Sequence, residues 1–132
     1  MKKVILTDKA PRPVGPYSQG IQAGDFLFVA GQVSIDPKTG QIAGQTIEEQ
    51  TKITLQNVQA ILEAGGASMD QVVKVTAVLN DMANFEKFNS IYKTFFSTPP
   101  PPARICYAGS LLGAGKLLVE IDAIAYVGLE SK

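Results

Sequence analysis

The sequence predicts an α+β sandwich, in which one mixed sheet of about six strands carries two helices on one face. Three observations lead there. Two segments, Thr46 to Gly65 and Asn84 to Phe95, repeat apolar residues at helical spacing. Stretches rich in β-formers precede, separate and follow them, giving the order β-β-β-α-β-α-β-β. Several strands are neighbours in sequence, so the chain lacks the strict alternation that builds a doubly wound parallel sheet. Its 132 residues fit one domain spanning 1–132, long enough for a core without staples.

Lys2 to Leu6 reads as a short first strand, and Ala10 to Ser18 as a Pro/Gly-rich loop that presents Tyr17 in a fixed position. Gly20 to Ala23 and Phe26 to Ile35 form a predicted hairpin about Ala23-Gly24-Asp25, with Gly31 marking a bulge or a close approach of backbone or ligand. Asp36 to Gly40 is a tight turn, after which Gln41 to Gln45 is expected to pair back. Thr46 and Glu49 make a capping box for a helix of about five turns, with Ile47, Leu55, Val58, Ile61 and Leu62 on one side and Gly65-Gly66 at its end. Asp70 to Asp81 is a predicted strand with Val73, Val75, Ala77 and Leu79 facing one way and Val72, Lys74, Thr76 and Val78 the other. A second helix, capped by Asn84, carries Phe85, Phe88, Tyr92 and Phe95 as core and stops at the run Pro99 to Pro102. The strand bearing Arg104 follows. After a glycine-punctuated loop, Lys116 to Tyr126 alternates Leu117, Val119, Ile121 and Ala123 against Leu118, Glu120, Asp122 and Ile124. Leu118, Ile124, Val78 and Val72 fall on the predicted uncovered face and are too apolar for water, so self-association is expected.

Composition narrows the chemistry. Twelve basic and twelve acidic residues cancel, which provides no field to recruit nucleic acid or an anionic membrane. Cys106 is the only cysteine, so an intrachain disulfide and a thiolate zinc site are excluded and a reducing, cytoplasmic setting is the default. Val4 to Leu6 is too short for a signal-peptide core, and nothing reaches the roughly 18 apolar residues of a membrane span. There is no histidine, which removes Ser-His-Asp and Cys-His nucleophile activation and the commonest metal ligand. No metal-binding pattern is present.

The candidate chemistry lies between Pro99 and Tyr126. A stiff proline segment fixes Arg104, and two carboxylates sit on an otherwise apolar strand, an arrangement suited to a small molecule with its own carboxylate. Each residue also has a plainer reading. Arg104 could be an ordinary ion-pair partner, Glu120 and Asp122 solvated edge residues, Tyr17 loop packing, Gly31 a bulge glycine, and Asn89 an exposed or interhelical amide. Cys106, with no histidine to activate it, reads best as a small buried hydrophobe.

The stretches GPYSQGI, FVAGQVSIDPKTGQI, TLQNVQAILEAGG, VVKVTAVLND, FNSIYKTFF, PPARICYAG and LVEIDAIA resemble the Rid proteins, the reactive intermediate deaminases also called YjgF-like. The resemblance runs in order along nearly the whole chain. It implies a chorismate-mutase-like fold and a homotrimer with active sites between subunits. It further implies cofactor-free hydrolysis of 2-imino acids or their enamines, such as 2-iminobutanoate and 2-iminopropanoate, to 2-keto acids and ammonia. By position, the resemblance makes Arg104 the substrate-carboxylate arginine and Glu120 the water-positioning glutamate, with Tyr17, Gly31, Asn89 and Cys106 lining the pocket. Asp122 stands where many members have a second glutamate, Ile105 is bulkier than usual, and the Tyr107–Lys116 loop is glycine-rich and one residue longer. A trimeric binder of small keto or imino acids without turnover is the alternative. Ribonuclease activity lacks a basic patch and a histidine pair here.

Overall fold

A computed structural model of the chain describes residues 1–128. Its strands are β1 (Lys2–Ile5), β2 (Gly20–Ala23), β3 (Phe26–Gln32), β4 (Val72–Leu79), β5 (Ala103–Ala108) and β6 (Val119–Tyr126), with helices α1 (Ile47–Ala64) and α2 (Phe85–Phe95). The strands form one mixed sheet in the order β1-β2-β3-β6-β4-β5. β4 and β5 are parallel because α2 crosses between them, and the other neighbouring pairs are antiparallel. The fold is the chorismate-mutase-like α+β sandwich expected, with both helices packed on one face.

The core lies between that face and the helices. Leu27 and Val29 of β3, Val75, Ala77 and Leu79 of β4, and Val119, Ile121 and Ala123 of β6 point into it. Leu55, Val58, Ile61 and Leu62 of α1 and Phe88 of α2 meet them, as periods of two and 3.6 require. The capping box is present: Thr46 Oγ1 accepts from the Glu49 N–H at 3.1 Å, and the Glu49 carboxylate accepts the N–H groups of Gln45 and Thr46 at 2.9 and 3.1 Å. Those donors, Gln45 first and then Thr46, hold the Glu49 carboxyl below its ordinary pKa. Gly65 ends α1 where a Cβ would run into Leu27 and Ile5, so only glycine lets the helix end sit this close to the sheet.

The structure refines several local expectations. β3 stops at Gln32, because a register shift between Val29 and Gln32 breaks the ladder before Ile35. Gln41 to Gln45 does pair back, through a single bridge of Ile42 to Ile35, beside which Ser34 Oγ donates to the Ala43 carbonyl at 2.6 Å. β4 begins only after a 3-10 turn at Met69–Gln71. A second register shift, between Val72 and Lys74, turns Val72 into the core at 5% exposure and Val73 outward at 44%, the reverse of simple alternation. Asn84 gives α2 no side-chain cap; its amide donates to Asn80 Oδ1 at 3.0 Å, while Asp81 caps the preceding 3-10 turn through the Ala83 N–H.

The opposite sheet face is uncovered and apolar. Phe26 and Phe28 of β3, Ile105 and Tyr107 of β5 and Tyr126 of β6 project from it. The Phe26 ring contacts both Phe28 and Tyr126, with centroids 6.5 and 5.3 Å apart. Among the described residues, no helix is long and apolar enough to cross a membrane.

Candidate active site

Arg104 is fixed by its place on β5. It lies beside Val75 of β4, and Cys106 lies beside Ala77; both β4 partners point under the helices, so Arg104 also turns to the helix side, at the open edge of the sheet. There α2 offers it an aromatic wall. The guanidinium carbon is 4.7 Å from the centre of the Tyr92 ring and 5.6 Å from those of Phe85 and Phe88. Nη1 donates to Asn89 Oδ1 at 2.8 Å, which sets the plane of the fork. Among the described residues the only ion pair is the exposed Arg12–Asp8 contact, so Arg104 has aromatic and amide neighbours but no carboxylate. The Tyr92 hydroxyl is buried without a hydrogen-bond partner. Burial pushes its pKa up, against the pull of the Arg104 charge. Burial likewise raises the Cys106 thiol pKa despite Arg104, which keeps the sulfur protonated and argues against a nucleophilic role.

Glu120 is fixed by β6. It lies beside Val78 and alternates with buried Val119 and Ile121, so it faces the uncovered side, next to the bulge of β3. A Cβ on Gly31 would stand 3.2 Å from Glu120 Cδ and far inside contact distance of its carboxylate. Gly31 therefore serves the bulge and also makes room for Glu120. Burial, and then the neighbouring Asp122 charge, pushes the Glu120 carboxyl above its ordinary pKa. Asp122 itself accepts the Thr76 N–H at 3.0 Å, a bond to the β4 backbone that gives it a structural role.

Beside Glu120 opens a cavity of about 480 Å³, walled by Tyr17, Gly31, Ile42, Leu112 and Leu117. Tyr17 sits in a turn closed by its N–H to the Gly15 carbonyl at 2.9 Å, with its ring 3.4 Å from where a Gly15 Cβ would be. Its hydroxyl accepts the Val14 N–H at 3.3 Å. A second hollow of about 540 Å³, lined by Gln41, Gln45 and Lys116 among others, has neither an arginine nor a carboxylate and offers no acid–base pair. No cluster of three or more metal-capable side chains occurs among the described residues.

Three buried amides hold the cavity walls, and the sequence gives no spacing signal for them. Gln19, 1% exposed, accepts the Thr7 N–H at 2.7 Å and donates to the carbonyls of Thr7, Ala10 and Pro11, pinning the loop that ends in Tyr17. Gln50 of α1 donates to the Gly44 and Lys116 carbonyls and accepts the Leu118 N–H, fastening the glycine-rich loop from a point 66 residues away. Asn57 donates to the carbonyls of Val33 and Ile35 just beyond the β3 bulge.

The six candidate residues thus fall into two groups. Asn89, Arg104 and Cys106 gather on the helix side of the β5 edge; Tyr17, Gly31 and Glu120 gather on the other side, across the sheet. One chain alone does not bring Arg104 and Glu120 together.

Comparison with known proteins adds the following. Residues 7–127 match the family model described as endoribonuclease L-PSP. A RutC family protein of Pyrococcus horikoshii is 52% identical over 126 residues, covering 96% of this chain and 98% of the relative. The 2-iminobutanoate/2-iminopropanoate deaminase of Mus musculus is 43% identical over 128 residues, covering 97% and 93%. The crystal structure of E. coli TdcF with bound serine superimposes with a TM-score of 0.86 at 36% identity, covering 94% of this chain and 98% of that one.

Proposed function

The chain belongs to the endoribonuclease L-PSP family, that of the Rid, YjgF and RutC proteins, and on that premise we propose that it hydrolyses 2-imino acids to 2-keto acids and ammonia at a site shared between identical subunits. The observation that carries this reading is the separation of the candidate residues into a cationic and an acidic half on opposite faces of one sheet. In the proposed homotrimer, Arg104 of one subunit faces Glu120 of the next, and the apolar uncovered sheet faces are buried together.

Arg104 binds the substrate carboxylate through its fork, held in plane by Asn89 and the Tyr92 ring. This orients the adjacent C=N carbon and draws electron density from it. Acting on the N-protonated imine, Glu120 takes a proton from a water as the water oxygen bonds to that carbon and the C=N pair moves to nitrogen, giving a neutral carbinolamine. It then delivers the proton to the nitrogen of the carbinolamine, the C–N bond breaks, and loss of the hydroxyl proton leaves a keto acid and ammonia. A carboxylate with a raised pKa suits both steps, since a base matched more closely to the working pH also gives the proton back. The imine is already electrophilic, so the scheme draws on positioning and a single acid–base group, and Cys106 contributes lining only.

Two comparisons support the reading at a coarser level: a relative named as an imine deaminase, and the serine in TdcF, an amino acid whose carboxylate is of the kind Arg104 would hold. The family description names an endoribonuclease. This chain has zero formal charge and no histidine, which gives an RNA backbone little to bind and its cleavage no usual base. In an assay coupled to an amino-acid dehydratase, Arg104→Ala should cut keto-acid release beyond the spontaneous rate by about 10²-fold or more, the scale of losing one partner of a desolvated charge pair. Undiminished release would reject the clamp.

A further inference from the structure

The cavity beside Glu120 is far larger than a one- or two-carbon side chain requires. Its 480 Å³ is on the order of sixteen water volumes at about 30 Å³ each. Its lining is mostly apolar, with surface from Val14, Val33, Ile35, Ile42, Leu112 and Leu117, while Arg12, Tyr17, Gln32 and Glu120 supply its polar groups. In an imino acid the reacting carbon bears three groups: the nitrogen, the carboxylate and the side chain. With the carboxylate held by Arg104 from another subunit and the water by Glu120, the side chain is the group left to enter this cavity.

From this we infer that the site prefers 2-imino and 2-keto acids with large, branched, apolar side chains over those of the pyruvate size, and that Ile42 and Leu112 set the preference. The inference rests on the proposed use of Arg104 and Glu120. The walls are built to keep the space open. Asn57 holds the carbonyls of Val33 and Ile35, which keeps the Ile35 segment in place. Gln50 fastens the far end of the loop that carries Leu112, and Gly113 at φ +92° lets that loop turn back over Leu117. Leu112 is 78% exposed in the isolated chain, an apolar flap at the mouth that a bulky side chain would cover.

The test uses stable 2-keto acids, so that it reads binding independently of turnover. Calorimetric titration of the wild-type protein with pyruvate, 2-oxobutanoate, 2-oxopentanoate and 4-methyl-2-oxopentanoate should show affinity rising about three- to fourfold per added methylene. Ile42→Trp, which plugs the cavity, should reverse the preference between the largest and smallest acids. Leu112→Ala, at an exposed position that does not endanger folding, should weaken the largest acid about two- to fivefold and leave pyruvate unchanged. Affinity that is flat or falls with side-chain size would overturn the inference, since the side chain then gains nothing from the cavity; absence of binding by all four acids would overturn the Arg104 clamp together with it. Imine hydrolysis measured on the same samples reads the deaminase proposal separately: size-dependent binding without accelerated hydrolysis would reject the enzyme and keep the pocket.

Discussion

A methyl group on Gly31 would occupy the space now taken by the Glu120 carboxylate, so this glycine controls where that carboxylate stands. Gly31→Ala should therefore lower kcat by about 10²-fold, the usual effect of an ångström of misplacement, with the protein still folded by circular dichroism. A loss confined to KM would instead place Gly31 in binding. Glu120 yields a second prediction with two signs. Its folded pKa lies above the ordinary 4.5, so activity should fall as pH drops through that raised value, and Glu120→Gln should abolish this limb along with turnover. Stability should move the other way. A carboxyl whose pKa is raised by folding stabilises fully below its unfolded pKa and loses that contribution as pH rises through the folded one. Glu120→Gln should thus raise Tm at pH 7 and leave it unchanged at pH 4; an unchanged or lower Tm at pH 7 would contradict the account. Period-two alternation makes the side of Glu120 legible in the sequence. Its approach to Gly31 is not, because the two meet only across the β3–β6 pairing, whose register is disturbed at that point.

At the scale of elements, the site depends on loops tied to rigid strands and helices by buried amides. Gln19 alone satisfies one N–H and three carbonyls of the segment that leads to Tyr17. Gln19→Leu leaves those groups buried without partners, which should cost roughly 1–3 kcal/mol in chemical denaturation and raise KM as Tyr17 loses its fixed position. Retained stability with unchanged KM would show that the loop is held by its prolines instead. The helices and their caps are legible because capping boxes and helical periodicity are local signals. Val72 and Val73 show where locality fails: alternation assigns their sides by parity, and one shift of register at the start of β4 exchanges them. Gln50 escapes notice for a related reason, since its partners lie 66 and 68 residues further along the chain.

At the scale of the whole molecule, the parallel pairing of β4 with β5 decides the arrangement. It sets Arg104 on the helix side while the antiparallel β4–β6 pairing sets Glu120 on the open side. Neither strand's own pattern reveals this, because relative facing depends on the register of both against β4. The separation would be a defect in a self-contained site; under the proposed function it would make assembly of copies a condition of activity. The apolar open face, with Phe28 42% and Ile105 51% exposed, supplies the drive to assemble.

Complementation between two inactive variants tests this most directly. Arg104→Ala and Glu120→Ala proteins, unfolded together in equal amounts and refolded, would form mixed trimers in which one boundary carries both native groups. Random mixing makes about three-quarters of trimers mixed, each with one intact site in three, so imine hydrolysis should return to about a quarter of the wild-type rate. A mixture as inactive as either parent, with subunit exchange verified by native mass, would show that the two groups do not meet between chains.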